Sequence, residues 1–261
     1  MADGLERLAG LLRDRRLSPG CYVIGVTGSV ASGKSTVSAA LMPLIAAWPD
    51  RPRGELACTD GFLLCNEVLA ARELIARKGY PETYDAAALI AALKAVRTGE
   101  ARFPGYSHAT YDVDQAMGRR IARPDVLVIE GLGLGTTRPP APVDILIYLD
   151  ADEVDLATWF VDRFMGFWRR AADDPTSFYA RFRGLDEAGA EGLARAVWTG
   201  INLPNLRRHI LPLRSRADVV VRQDGEHRIV DIEGGPARRR TPASPSGRGR
   251  QGQTGEGRAA R

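Results

Sequence analysis

The feature that most constrains the fold is the segment YVIGVTGSVASGKST, in which an apolar run leads directly into a glycine-rich loop. Residues 22–27 carry no charge and are rich in β-branched side chains, which predicts a strand buried in a parallel sheet. Residues 34–47 place apolar side chains on one side and predict a helix, in which Pro43 predicts a kink or an early end. A strand, a glycine loop and a helix in this order form the first unit of an α/β domain.

The loop contains the pattern G-x-x-x-x-G-K-[ST], from Gly28 through Gly33 and Lys34 to Ser35. Glycines let backbone N–H groups point inward at phosphate oxygens, and the helix N-terminus adds partial positive charge. Lys34 is expected to reach the β- and γ-phosphates of a nucleotide, and Ser35 to ligate Mg²⁺. The alternative is a ligand-free turn, but the flanking elements favour a nucleotide site. Its predicted binding residues are Gly28, Ser29, Ser32, Gly33, Lys34, Ser35 and Thr36.

Apolar and helical segments alternate along the rest of the chain. Further candidate strands are 55–59, 126–130, 145–149 and 218–222, with a weaker one at 227–232, and candidate helices are 66–77, 85–98, 154–170 and 185–209. This alternation predicts an α/β fold with a mostly parallel sheet and helices on both faces. The expected organisation is a short N-terminal helix in 1–20, one domain over 21–233 and a tail over 234–261.

The end of the chain differs in composition from the rest. The net charge of the 261 residues is +4, but the seven arginines and one glutamate of 236–261 contribute +6, so the remainder carries −2. This segment is rich in Pro, Gly, Ser and Arg and predicts a disordered tail. Binding of nucleic acid through charge is one interpretation of the tail, and a solvated segment without function is the favoured one.

Cysteine content and hydropathy exclude several classes of protein. The three cysteines form no CxxC pair, so we expect neither a disulfide framework nor a cysteine zinc site, and a reducing cytoplasm fits. No apolar run approaches the roughly 20 residues needed to span a bilayer. The N-terminal stretch mixes acidic and basic residues, which is not typical of a signal peptide.

Two predicted strands lead into acidic residues, and in parallel sheets ligands lie at the carboxyl ends of strands. Asp60 in CTDGFLL is a candidate general base for an acceptor hydroxyl or a residue that orders the Mg²⁺ shell, and the alternative is an Asp-Gly turn. Glu130 ends PDVLVIEGL, which looks like a Walker B strand whose carboxylate holds Mg²⁺ directly or through water.

Two aromatic segments are further candidates for the site. PGYSHATYDV places Tyr106, His108 and Tyr111 in a polar loop that suits a small polar ligand, although on these residues alone a surface loop is favoured. TWFVDRFMGFWRR places Arg163 beside an aromatic stripe that is typical of a buried helix face. Such an arginine stabilises charge on a transferring phosphoryl group, or alternatively lies on a solvated face.

Taken in order, seven segments resemble the bacterial type I pantothenate kinases over residues 22–232: GSVASGKST, TDGFL, KGYPETYD, YSHATYDV, PDVLVIEGL, TWFVDRFMGF and INLPNLRRHILPLRSRADVVV. KGYPETYD and YSHATYDV together with INLPNLRRHILP are much more specific than the glycine loop. The resemblance implies a P-loop NTPase fold of the uridine kinase and phosphoribulokinase group. It also implies a cytoplasmic homodimer that uses ATP and Mg²⁺ to phosphorylate pantothenate, the first step of coenzyme A biosynthesis.

The resemblance also implies a role for individual residues, and Phe160 departs from it because the family has a tyrosine there. The implied catalytic residues are Lys34, Asp60 as the base and Arg163, the implied pantothenate-binding residues are Tyr106, His108, Tyr111 and Asn205, and the implied metal ligands are Ser35 and Glu130. Two alternatives stay open. One is a P-loop kinase of another small alcohol, such as a nucleoside or a sugar. The other is a nucleotide-binding regulatory protein whose tail binds nucleic acid.

Overall fold

The structure, a computed structural model, describes residues 2–16, 20–136 and 141–234. The predicted disordered tail, apart from its first residue, lies outside the described residues. In the described part of the chain, we find no helix with the length and apolar character needed to cross a membrane.

A six-stranded sheet with the order β2-β5-β1-β6-β7-β8 forms the centre of the structure. Its strands are β1 (Tyr22–Gly28), β2 (Gly54–Cys58), β5 (Val126–Glu130), β6 (Ile145–Asp150), β7 (Val219–Gln223) and β8 (Ile229–Gly234). All neighbouring strands pair in parallel except β8, which is antiparallel to β7. The mostly parallel sheet predicted from the apolar runs is confirmed, with strand ends shifted by no more than two residues.

Helices cover both faces of this sheet. They are α1 (Ala2–Asp14), α2 (Lys34–Ala46), α3 (Asn66–Ala71), α4 (Ala86–Thr98), α5 (Gly133–Thr136), α6 (Glu153–Arg170), α7 (Glu187–Val197) and α8 (Leu203–Asn205). Alternate residues of β1 point to opposite sides: Ile24 and Val26 pack in the core under α1 and α2, whereas Val23 packs in the core under α4. The two buried faces explain why the central strands are apolar along most of their length, with acidic residues only at the carboxyl ends of β5 and β6.

A two-stranded antiparallel hairpin was not predicted from the sequence. Its strands are β3 (Glu100–Ser107) and β4 (Asp112–Ala122), and the segment assigned to a polar loop forms its tip. The register shifts between Phe103 and Gly105, next to Pro104, which cannot donate a ladder hydrogen bond. Most of β4 is exposed or half-buried and carries little apolar alternation, so the usual strand pattern is missing.

Three predicted helices differ in detail from the observed ones. The helix expected over 66–77 ends at Ala71, and a short 3₁₀ turn follows at Ile75–Arg77. Of the kink or early end predicted at Pro43, the early end is wrong, because α2 continues to Ala46. The long helix expected over 185–209 is instead α7 and α8 joined by wide π-helical turns.

These wide turns surround α8 on both sides. They span Trp198–Asn202 and Leu206–Ile210, with Pro204 between them in α8. Proline has no N–H to donate along a helix, and π turns are frequent at functional sites. The turns therefore allow the helix to accommodate a proline at the point where the helix reaches the cavity described below.

Candidate active site

The glycine loop between β1 and α2 needs glycine at two positions. Gly28 has φ 148°, and a Cβ there would lie 2.6 Å from the carbonyl oxygen of Leu149. Gly33 caps the N-terminus of α2 in the left-handed region with φ 78°. Both conformations are unfavourable for residues with a side chain, so the glycines permit the turn that the sequence predicted.

Lys34 and Ser35, the first residues of α2, bring their side chains to the end of β5. The Lys34 ammonium donates a 2.7 Å hydrogen bond to the Ser29 carbonyl oxygen, and the Ser35 hydroxyl donates one of 2.7 Å to Glu130 Oε1. Burial lowers the pKa of Lys34, which the carboxylates of Glu130 and Asp60 oppose. Burial also raises the pKa of Glu130, and Lys34 opposes that shift.

Ser35 and Glu130 fit a magnesium site. A hydroxyl and a carboxylate are hard oxygen ligands, and Mg²⁺ is usually held by one or two protein groups together with phosphates and waters. A divalent cation would also offset the cost of the buried Glu130 charge. The two predicted metal ligands are therefore brought together, with their side-chain oxygens 2.7 Å apart.

Asp60 lies beside Glu130 because their strands are neighbours. Cys58, the last residue of β2, pairs with Glu130 in the parallel ladder, and Asp60 follows in the 3₁₀ turn Thr59–Phe62. Gly61 completes this turn so close to the hairpin that an added Cβ would lie 1.9 Å from the Pro104 carbonyl oxygen. The Asp-Gly pair therefore forms a turn, which was the alternative interpretation of this segment. The turn places Asp60 on the wall of the cavity described below.

The hairpin tip supplies the predicted aromatic residues. The Tyr106 ring lies 5.1 Å from that of His108 and 6.3 Å from that of Tyr111. Burial raises the pKa of both tyrosines, so their hydroxyls stay neutral hydrogen-bonding groups. His108 Nε2 lies 3.4 Å from an Arg163 guanidinium nitrogen, and burial followed by the Arg163 charge lowers the pKa of this imidazole.

Asn205 reaches the site from the opposite wall. Its side-chain amide nitrogen donates a 3.0 Å hydrogen bond to the Gly79 carbonyl oxygen, which fixes the orientation of the amide. Its Oδ1 is buried and accepts no hydrogen bond from any residue that the structure describes. A buried oxygen without a donor is costly, so this atom is suited to accept a hydrogen bond from a ligand.

One cavity of about 310 Å³ is lined by nine of the predicted site residues. Its polar lining residues include Lys34, Ser35, Asp60, Tyr106, His108, Tyr111, Glu130, Arg163 and Asn205, and its aromatic wall includes Phe160, Phe164, Phe167, Phe178, Tyr179 and Phe182. The remaining predicted nucleotide-binding residues are not part of this lining: Gly28, Ser29, Ser32 and Gly33 form the adjoining loop, and Thr36 lies in the first turn of α2. The cavity therefore has a charged end next to the glycine loop and an aromatic end.

Lys78 is a cavity residue to which sequence reasoning assigned no role. Its ammonium donates hydrogen bonds of 2.7 Å to Asn66 Oδ1 and to the Tyr111 carbonyl oxygen, and it lies 5.1 Å from the Tyr106 ring centroid. Burial lowers its pKa to about 8, while the Asp112 and Asp60 carboxylates raise it. The segment KGYPETYD, which contains Lys78, was the available signal.

Comparison with known proteins identifies the family to which this chain is similar. The phosphoribulokinase/uridine kinase family matches residues 23–163. A pantothenate kinase of Xanthobacter autotrophicus is 43% identical over 224 residues, covering 81% of this chain and 69% of the relative. A pantothenate kinase of Leifsonia xyli subsp. xyli is 41% identical over 237 residues, covering 87% of this chain and 74% of the relative.

A solved structure agrees with this placement. The protein from Silicibacter sp. TM1040 described as a fructose transport system kinase superposes with a TM-score of 0.64 at 26% identity, covering 78% of this chain and 92% of its own. The P-loop kinase fold and the family resemblance expected from the sequence are thereby confirmed. The chain belongs to the phosphoribulokinase/uridine kinase family of P-loop kinases and, within it, to the bacterial pantothenate kinases.

Proposed function

We propose that this protein transfers the γ-phosphoryl group of ATP to the hydroxyl of pantothenate, which forms 4′-phosphopantothenate in the first step of coenzyme A biosynthesis. The observation that carries this proposal is that Lys34, Asp60 and Asn205 line one and the same cavity. Phosphoryl transfer requires positioning and charge neutralisation more than covalent chemistry. A cavity with a phosphate end, a carboxylate and a polar acceptor wall meets those requirements.

The nucleotide lies at the glycine loop in this proposal. Backbone N–H groups of the loop and the N-terminus of α2 face the phosphates, and Lys34 exchanges its bond to the Ser29 carbonyl for one to a phosphate oxygen. Ser35 and Glu130 would hold Mg²⁺, which would neutralise phosphate charge when bound. The charge of the half-buried Lys34 is then matched by the phosphates, which offsets the cost of its partial burial.

Asp60 is the general base of the proposed reaction. It lines the cavity between the glycine loop and the hairpin tip, so its carboxylate can accept the proton of a hydroxyl that attacks the γ-phosphorus. Arg163 lies beside His108 and carries positive charge into the same cavity, where it stabilises negative charge on the transferring group. Lys34 supplies a second positive charge to the same cavity.

The aromatic end of the cavity binds the acceptor. Asn205 Oδ1 accepts a hydrogen bond, the Tyr106 and Tyr111 hydroxyls donate or accept, and Lys78 offers an ammonium to an anionic group. The surrounding rings exclude water, which otherwise competes as the nucleophile. Phe160 contributes no hydroxyl to this wall, so the acceptor is recognised by the polar residues around it.

The proposal is tested by identifying the product. The purified chain is incubated with ATP, Mg²⁺ and pantothenate, and the products are analysed by mass spectrometry with a Lys34→Met variant as the control. We expect one phosphoryl group on pantothenate in the wild-type reaction and about 10²-fold or more loss in the variant, because a positioned charge on the phosphates is removed. Hydrolysis of ATP with pantothenate left unmodified would contradict the proposal.

A further inference from the structure

A contact outside the reacting centre fastens the helical turns around Asn205 to the opposite cavity wall. Tyr80 is buried, and its hydroxyl donates a 3.0 Å hydrogen bond to the Ile201 carbonyl oxygen. The His209 ring packs edge-on against Tyr80, with 5.6 Å between ring centroids and 65° between planes. Tyr80 directly follows Gly79, the residue whose carbonyl orients Asn205.

Hydrogen bonds also connect the residues next to Tyr80 in this cavity wall. The Gly79 N–H donates a 3.1 Å hydrogen bond to the Thr83 hydroxyl, which in turn donates one of 2.7 Å to the Tyr80 carbonyl oxygen. Lys78 and Gly79 both line the cavity. A displacement of Tyr80 therefore moves the Lys78 ammonium and the carbonyl that holds the Asn205 amide.

His209 is suited to its position only when its ring is neutral. Its Nε2 is buried and has no hydrogen-bond partner within the described part of the chain. A neutral imidazole can leave one nitrogen without a proton, whereas the cationic ring would bury an N–H and a charge without an acceptor. Burial accordingly lowers the pKa of His209.

The charges that face this ring come from two segments. Glu82 and Arg77 form an ion pair at 2.8 Å and lie on either side of Tyr80 in the sequence. Arg208 directly precedes His209. Arg77 also lies 4.7 Å from the centroid of the Tyr80 ring. The arginines oppose a positive charge on His209 and Glu82 favours it. The short helix α5, which also packs against this turn, contributes no ionisable side chain.

We propose that His209 is an acid-sensitive positioning residue for the acceptor: its neutral ring holds Tyr80 in place, and its protonation loosens the wall formed by Lys78 and Gly79. This inference rests on the proposed function, in which Lys78 and Asn205 bind the acceptor. A protonated ring turns toward water to satisfy its new N–H, and Tyr80 then loses its packing partner. Acceptor binding therefore weakens as pH falls below about 6.5, the ordinary imidazole value.

The test compares the wild type with His209→Phe, which keeps an aromatic ring that cannot be protonated. Steady-state KM values for pantothenate and ATP are measured at about pH 7.5 and about pH 5.5, on either side of the ordinary imidazole pKa. We expect the wild-type KM for pantothenate to rise about fivefold more than that of the variant at the lower pH, the effect of one lost hydrogen bond. Comparing the two proteins removes the contribution of His108, which both retain. The KM for ATP should respond equally in both.

A second variant keeps the inference testable if His209→Phe folds poorly in thermal unfolding at either pH. His209→Gln is neutral and polar, and it should also remove the additional acid response. An identical rise in pantothenate KM in the wild type and the neutral variants would overturn the inference alone. An equal change in kcat and in both KM values would also overturn the inference, because it would indicate general damage to the fold. Absence of pantothenate turnover by the wild type at the higher pH would instead overturn the proposed function, and this inference with it.

Discussion

At the scale of single residues, the site depends on charges that are close together, with Glu130 buried and Lys34 and Asp60 half-buried. Burial is the largest cause of the lowered pKa of Lys34 and of the raised pKa of Glu130, and the opposite charge of each partner opposes these shifts. The residue types and their order in the chain predicted this set. No role was predicted for Lys78, because a lysine in a polar segment has no pattern that separates a buried position from an exposed one.

The role of Asp60 is tested by Asp60→Asn, which keeps the size of the side chain and removes the base. ATP binding should be retained, and kcat should fall by roughly 10²–10⁴, the usual contribution of a general base. Calorimetry measures ATP binding and a coupled ADP-release assay measures kcat. Asp173→Asn, which changes an exposed carboxylate after α6, is the matched control. Near-normal turnover in Asp60→Asn would remove Asp60 from this role.

Lys78 predicts an alkaline limit to acceptor binding. Its pKa is lowered to about 8 by burial, so the ammonium is present below that pH and is lost as the pH rises through it. The wild-type KM for pantothenate should therefore increase above about pH 8, and Lys78→Met should have a raised KM at neutral pH and no alkaline step. Lys94→Met on the exposed face of α4 should keep the wild-type profile. The same alkaline step in Lys78→Met would show that another group titrates.

At the scale of secondary-structure elements, the sequence predicted the sheet well and the hairpin poorly. Buried parallel strands such as β5 consist of one apolar run, which the sequence displays directly. The strands β3 and β4 pair with each other outside the main sheet, and their stability depends on tertiary contacts such as Phe62 with Phe103 at 6.0 Å. Such contacts cannot be inferred from local periodicity. The aromatic loop was therefore recognised as a site only through the family resemblance.

The close approach of this hairpin to the Asp60 turn is tested by Gly61→Ala. The added Cβ would lie 1.9 Å from the Pro104 carbonyl oxygen, a backbone atom that cannot move without shifting β3. The free energy of unfolding should fall by about 1–3 kcal/mol, the usual cost of overpacking. Urea denaturation measures it, and kcat should fall as well because Asp60 is displaced.

Gly192→Ala is the matched control for this substitution. Gly192 lies within α7, and an added Cβ has no neighbour within 4 Å among the described residues. Because alanine favours the helix over glycine, this variant should gain up to about 1 kcal/mol of stability. A similar loss in both variants would indicate that the contact with Pro104 is not the cause.

At the scale of the whole molecule, the sheet order explains why residues far apart in sequence meet. The strands β2, β5 and β1 are neighbours and parallel, so Asp60, Glu130 and the glycine loop follow their carboxyl ends at one edge. The sequence predicted this edge through the general rule for α/β sheets. It could not predict how α6 and the turns around Asn205 close the cavity, because the π-helical turns have no recognised sequence pattern.

The segment 236–261 is predicted to be dispensable. Its charge and composition favour a solvated tail, so its deletion should leave ATP turnover, the thermal midpoint and the homodimer predicted from the family resemblance unchanged. The coupled assay, thermal unfolding and light scattering measure these properties. Salt-sensitive retention of the full chain on nucleic acid, lost on deletion, would instead support the regulatory interpretation.

Pantothenate is the proposed acceptor, and a panel of acceptors in one ADP-release assay distinguishes it from other alcohols. The chain is assayed with ATP and Mg²⁺ against pantothenate, uridine, ribulose 5-phosphate, glycerate and no acceptor. We expect rapid ADP release with pantothenate and only background release with the others. Turnover with one of the other alcohols and none with pantothenate would contradict the assignment of the acceptor, while leaving the fold and the phosphate chemistry intact.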